Sequence, residues 1–224
     1  MNNYKYINND MEGSMEKLLT LDIGTTSVKT SIFDKNLKMI GSSNEEYQLI
    51  TMPNNNIELD AETYWEAVKK GIKNACIEAG IGESEITAIT ITTQGETLIP
   101  VNKEGKALRN AIVWLDGRAA EESEFISRKF DAKTFYSTTG LPECNGFCPV
   151  SKLLWLKNNE PEIYSNTYKF MLLEDYIIMR FTGKFVTEKS LLTSTGYFDI
   201  VKDTLWEEML EYIQIDIEKI PEVL

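Results

Sequence analysis

Histidine is absent from all 224 residues. That removes Ser-His-Asp and Cys-His nucleophilic catalysis and any histidine-ligated zinc site, because each needs an imidazole as base or ligand. Cysteine is scarce: Cys76, Cys144 and Cys148 are the three, too few and too unevenly spaced for a disulfide framework in a chain of this size. Cys144 and Cys148 stand in a C-x3-C spacing with no further Cys or His ligands nearby, so both read as loop or core thiols. A reduced, cytoplasmic chain is the simplest reading. No apolar run is long enough to cross a bilayer, and no charged-then-apolar leader opens the chain. Positive charge is in the minority, 23 Lys and Arg against 35 Asp and Glu. The net charge of −12 argues against nucleic acid and anionic membrane as partners, while leaving room for a small anionic ligand in a locally basic pocket. Neither G-x-x-x-x-G-K-[ST] nor G-x-G-x-x-G occurs, so the two common nucleotide fingerprints are missing as well.

What is present is a short run with unusual chemistry, Leu21-Asp22-Ile23-Gly24-Thr25-Thr26-Ser27-Val28-Lys29. It reads as a strand that turns tightly around a phosphate and returns as a second strand. Gly24 is expected to supply backbone dihedrals closed to other residues, so that the turn points its amides inward as an anion-binding concavity. Thr25, Thr26 and Ser27 add hydroxyl donors, and Lys29 adds positive charge. Asp22 is suited to hold a hydrated Mg²⁺, which usually takes only one or two protein carboxylates. An ordinary hairpin with a hydroxyl-rich turn fits these residues equally well.

A chain of this length that folds compactly buries about 70% of its unfolded surface, so a substantial core is expected. Met1 to Ser14 is polar and Asn-rich and is expected to be a disordered extension or the product of an upstream start, with the folded unit spanning 15–224. Leu18 to Ile23, Val28 to Phe33 and Lys38 to Ser43 predict three antiparallel strands. Asp60 predicts the cap of a helix whose apolar residues, from Ala61 through Tyr64, Val68 and Ile72 to Ala79, recur at helical spacing and stop at Gly80. Glu85 to Thr93, rich in Ile and Thr, predicts a largely buried strand, with Thr97 to Asn102 as its partner. Ala111 to Trp114 is a short apolar run before a helix reaching Phe130, and Pro149 to Asn158 predicts another helix. Lys169 to Leu173 then leads into a helix from Glu174 to Phe181 with Gly183 as its stop. Strands alternating with helices after an antiparallel opening predict an α/β domain with a mixed sheet.

Three polar groups fall at strand ends, where α/β sheets place ligands: Asp22 with its turn, Gln94-Gly95-Glu96, and Trp114 with Asp116 and Arg118. A carboxylate accepts hydroxyl hydrogen bonds and an indole packs on C–H surface, which suits Glu96 and Trp114 to a polyol. Each also has a plain alternative: Glu96 as a solvated turn residue, Trp114 as core, Asp116 as a helix cap.

In this order the chain resembles the amino-terminal domain of the FGGY carbohydrate kinases, the glycerol kinase and xylulokinase family, from about Lys17 onward. Four stretches carry the resemblance. Leu21 to Lys29 is similar to the family's first phosphate loop, and Ile89 to Thr97 to its sugar-contacting segment. Asn110 to Arg118 is like the W-x-D-x-R signature. Asp175-Tyr176 through Thr182-Gly183 to Ile200 is like the D-Y-x-x-x-x-x-T-G segment and the Ser/Thr-rich stretch after it.

The resemblance implies an α/β fold of the actin-like ATPase (ribonuclease H-like) class, a mixed sheet flanked by helices, and ATP-dependent phosphoryl transfer to a hydroxyl of a small carbohydrate. Carried over by position, Asp22, Gly24, Thr25, Thr26 and Lys29 face Mg²⁺ and the transferring phosphate, with Asp22 reaching the metal through water. Gln94, Gly95, Glu96, Trp114, Asp116 and Phe147 bind substrate. Phe147 falls near a substrate-contacting Tyr of glycerol kinases, and Gly95 stands where those enzymes have Arg. Gly95-Glu96-Thr97 replaces the Met-His-Gly of xylulokinases, and a ketopentose such as xylulose is the favoured substrate. Glycerol, gluconate, a non-catalytic sugar-binding or regulatory remnant and an actin-like or chaperone-like ATPase stay open. Family members are roughly twice this length, so the general base is expected in a second domain, the isolated chain is expected to be inactive, and a homodimer of the full-length kinase is compatible with the family.

Overall fold

The structure, a computed structural model, describes residues 16–224. The expected extension over 1–14 lies outside the described residues. Strands β1 (Lys17–Ile23), β2 (Ser27–Phe33) and β3 (Met39–Glu46) form the antiparallel opening that the sequence predicts. Side chains alternate as a pleated strand requires: Leu19, Leu21 and Ile23 are buried, while Leu18 and Thr20 are half-buried and Asp22 is exposed. The buried face is covered by helix α1 (Ala61–Ala79), which Asp60 caps by accepting from the Glu62 amide and Gly80 ends at φ 67°. Helix and sheet approach closely at glycines: a Cβ on Gly41 would lie 2.4 Å from the Ala75 carbonyl, and one on Gly71 would lie 2.5 Å from Thr30 Oγ1. Between β3 and α1 the chain inserts a hairpin, β4 (Ile50–Met52) and β5 (Asn56–Leu59), that its polar composition did not announce.

Strand β6 (Ile86–Thr93) runs parallel to β1 and completes the first sheet in the order β3-β2-β1-β6. The expectation that it is largely buried is wrong. Thr87, Ala88, Ile89, Thr90 and Thr92 are exposed, because α1 packs over β2 and β3 while β6 stands at the sheet edge. Its Ile and Thr content reflects strand propensity rather than enclosure.

The expected pairing of Thr97–Asn102 with that strand is also corrected. Strand β7 (Leu98–Val101) belongs to a second sheet, with β8 (Ala111–Ile112) and β9 (Lys169–Leu172), in the order β4-β5-β8-β7-β9. The reason is local. The Gln94 amide donates to Ile23 O at 3.0 Å, which extends the β1–β6 ladder, so the chain continues forward and passes between sheets instead of reversing.

Helices α2 (Ala120–Lys129), α3 (Ala132–Thr139), α4 (Pro149–Asn159), α5 (Pro161–Asn166) and α6 (Leu173–Thr182) follow, the last ended by Gly183 at φ 72°. One apolar core lies between the first sheet and α1, around Leu21, Tyr64 and Val68. A second surrounds α4, with Phe135, Leu153, Leu156 and Trp206. The result is an α/β domain with mixed strands flanked by helices. Among the described residues no helix is long and apolar enough to cross a membrane.

Candidate functional site

The first sheet ends at the turn after β1, and the crossover at Gln94–Thr97 leaves that sheet beside it. Gly24 N donates to Ser27 O at 2.9 Å, and Tyr47 clasps the turn from behind, its hydroxyl donating to Gly24 O at 2.5 Å and its amide to Thr26 O at 2.9 Å. Gly24 is not among the residues with positive φ, and a Cβ there would meet only Ser27 O at 3.5 Å. The expected conformational need for glycine is therefore corrected: this turn needs no left-handed residue. The amides of Thr25 and Thr26 donate to nothing among the described residues. Asp22 and Lys29 face each other across the ladder, 3.9 Å apart and more than half exposed.

Trp114, at the end of β8, reaches this turn. Its indole Nε1 donates to Thr25 Oγ1 at 3.0 Å, and its amide donates to Thr97 Oγ1 at 3.1 Å. Because Thr25 Oγ1 accepts the indole proton, its own O–H stays free to donate outward. A second link runs deeper: Gln94 Nε2 donates to the Tyr64 hydroxyl at 2.9 Å, and the Tyr64 ring meets Tyr47 edge-on at 5.2 Å. Burial raises both phenols above their ordinary range, so both stay protonated.

Beside Trp114 opens a cavity of about 250 Å³, walled by Glu96, Trp114, Asn145, Phe147, Cys148 and Ser194 among others. That volume lies just below the usual range of about 300–1,000 Å³ for small-molecule pockets, which suits a small ligand. The walls are mostly apolar, with two carboxylates among them, the half-buried Glu96 and the exposed Glu143. Gly95 does not line the cavity but packs close to its Ser194 wall, where a Cβ would meet Oγ at 3.3 Å. Among the described residues Gln94 Oε1 is buried without a partner, an acceptor next to this segment. A larger cleft of about 590 Å³, between α2, α4 and Tyr212–Gln214, carries none of the motif residues.

The structure does not bring every candidate to the cavity. Asp116 is fully buried behind it: Oδ2 accepts from the Ile57 amide at 2.5 Å, Oδ1 accepts from the Arg118 amide at 3.0 Å, and the Arg118 guanidinium grips both oxygens at 2.8 Å. Arg118 extends to Glu58 at 2.8 Å and stacks 4.8 Å from Trp155, so the acid and base of the W-x-D-x-R run form a buried ion network. Asp116 is not a helix cap either, because Ala119 precedes α2. Phe147 lies on the cavity rim, half exposed. Cys144 and Cys148 are buried and unbridged, as expected of core thiols.

The comparisons with known proteins decide the family. A model of the N-terminal domain of the FGGY family of carbohydrate kinases matches residues 17–224. The chain belongs to that family. An FGGY relative, xylulose kinase of Staphylococcus xylosus, is 32% identical over 211 residues, covering 94% of this chain and 43% of the relative. Glycerol kinase of Thermococcus onnurineus is 35% identical over 210 residues, covering 92% and 42%. Among solved structures, gluconate kinase from Lactobacillus acidophilus superposes with a TM-score of 0.86 at 30% identity, covering 94% of this chain and 42% of its own. The chain thus spans less than half the length of the relatives it matches.

Sequence reading missed Lys152, Tyr64 and Ser194 in this FGGY domain. Tyr64 was read only as a helix-stripe residue. Lys152 gave one usable signal, a single cation among Val150, Ser151, Leu153 and Leu154 in the first half of its helix.

Proposed function

We propose that this chain is the substrate-binding half of an ATP-dependent carbohydrate kinase. Its ligand is a small polyhydroxylated molecule, with a ketopentose such as xylulose favoured over glycerol or gluconate. The observation that carries this is the Trp114–Thr25 bond, which sets the rim of the cavity against the phosphate-type turn. A hydroxyl held at Glu96 and packed on Trp114 then lies next to the free Thr25 and Thr26 donors. Glu96 accepts ligand hydroxyls, Phe147 and Trp114 pack on C–H surface, and Lys29 offsets phosphate charge.

Asp22 fits a hydrated Mg²⁺: it is one exposed carboxylate at the turn, and among the described residues no cluster of three or more His, Cys, Asp or Glu forms a resident metal site. The metal would arrive with ATP and neutralise phosphate charge. The general base is assigned to a second domain, the partner that supplies the rest of the cleft. Phosphoryl transfer depends on positioning and charge stabilisation, so this half alone binds sugar weakly and turns nothing over.

The test is a panel of pentuloses, glycerol, gluconate and other polyols, read by thermal shift on this chain and by ATP-coupled assay on a two-domain version. A shift with one ketopentose and turnover only in the two-domain version are expected. Turnover by the isolated chain, or no response to any polyol in either version, would overturn the proposal.

A further inference from the structure

Lysine is almost never fully buried unless it is paired. Lys152 has no exposed surface and takes part in no ion pair among the described residues. Its Nζ donates instead to three backbone carbonyls, Glu96 O at 3.1 Å, Val113 O at 3.0 Å and Trp114 O at 3.4 Å. An ammonium has three protons and no acceptor, so this arrangement uses it completely. The carbonyls belong to two segments that lie 17 or more residues apart, the crossover after β6 and the end of β8, and they carry the side chains that rim the cavity.

The same turns of α4 hold the other two walls. The Val150 amide donates to Thr195 O at 2.9 Å, beside Ser194, and Ser151 Oγ donates to Asn145 O at 2.9 Å. Behind them Leu153 and Leu156 are fixed in the second apolar core. The cavity segments at Glu96, Trp114, Asn145 and Ser194 are therefore tied to residues 148–152.

We propose that Lys152 is a positioning residue for the sugar site: from the rigid α4 it fixes the backbones of Glu96 and Trp114 so that carboxylate and indole act on one ligand. This rests on the reading of the cavity as a sugar site. Burial, helped by the charge of Arg118, pushes the Lys152 amine down to about 8, against the charges of Asp116, Glu96 and Cys148, which raise it. Near neutrality it therefore holds the carbonyls as an ammonium.

The experiment is amide hydrogen exchange on this chain, wild type against Lys152→Met and Lys152→Arg, with sugar affinity measured in parallel by titration of the panel. In Lys152→Met, protection at Glu96–Thr97 and Trp114–Leu115 is expected to fall roughly tenfold while β1, β2 and α1 keep theirs, and sugar affinity falls by a similar factor. Lys152→Arg, which retains the charge, restores part of both. Should the variants fail to fold, wild-type protection factors carry the test: those at the same amides should drop selectively as pH passes about 8. Uniform loss across the fold overturns the proposal, since Lys152 is then merely structural. Local loosening with unchanged sugar affinity overturns it as well. A wild type that binds no sugar defeats the sugar reading and with it the positioning role. That failure is told apart from failure of the clamp because the local exchange pattern is still seen.

Discussion

At the turn after β1, Asp22 and Lys29 lie 3.9 Å apart with side chains 55% and 67% exposed, whereas behind Trp114 the Asp116–Arg118 pair sits at 2.8 Å with side chains 0% and 4% exposed. Both are acid–base pairs from motif segments, yet they do different work. Solvent screens the first pair, so it contributes little to the fold and stays available to an incoming ligand. The second has lost its water and is useful only as a complete network, since either partner alone would be an uncompensated buried charge. The turn after β1 is clasped by Tyr47 from behind, while the cavity beside it is backed by an ion network whose charges are already paired.

The largest effect that would sharpen this contrast is expected from Asp116→Ala. It strands Arg118 and the Ile57 amide, and urea denaturation should report a loss of about 3–5 kcal/mol. A loss as small as that of a surface pair would erase the distinction. Next comes a pH effect from the buried Asp175 at the start of α6, whose Oδ2 accepts from the Leu172 amide at 2.9 Å while Oδ1 has no partner among the described residues. Burial raises its carboxyl from 3.8 to about 7, so the folded state holds the proton more tightly than the unfolded chain. Its contribution is full below pH about 4 and is lost as pH rises to about 7. Stability measured across that window should fall with pH, and Asp175→Asn should flatten the slope.

Glu96→Ala probes the boundary between the two regions, a free carboxylate on a fixed backbone. Stability should change by less than about 0.5 kcal/mol, while sugar affinity in a two-domain version falls roughly ten- to hundredfold, as loss of hydrogen bonds to a charged acceptor predicts. Unchanged binding would return Glu96 to a solvated turn residue. Lys29→Ala is the smallest: its melting temperature should match the wild type, because a screened surface pair contributes almost nothing. A clear loss would mean that the turn is as preorganised as the ion network.

What local rules govern is legible in the order of residues. Alternation placed β1 and β2, the Asp60 cap and Gly80 bounded α1, Gly183 stopped α6, and four ordered motifs identified the family. These follow from interactions within a few residues, which a linear reading contains. The tertiary structure alone decided the rest. Ile and Thr in β6 read as core, but whether a strand is enclosed depends on which element covers it, and α1 covers its neighbours instead. Asp116 and Glu96 read alike as strand-end carboxylates. One is withdrawn by Arg118 and the Ile57 amide, a partner 59 positions away, and the other is left on the cavity wall. Lys152 drew no reading from the sequence. Its role exists only where α4 meets carbonyls from two distant segments, because desolvation acts on the folded neighbourhood and not on the order of residues.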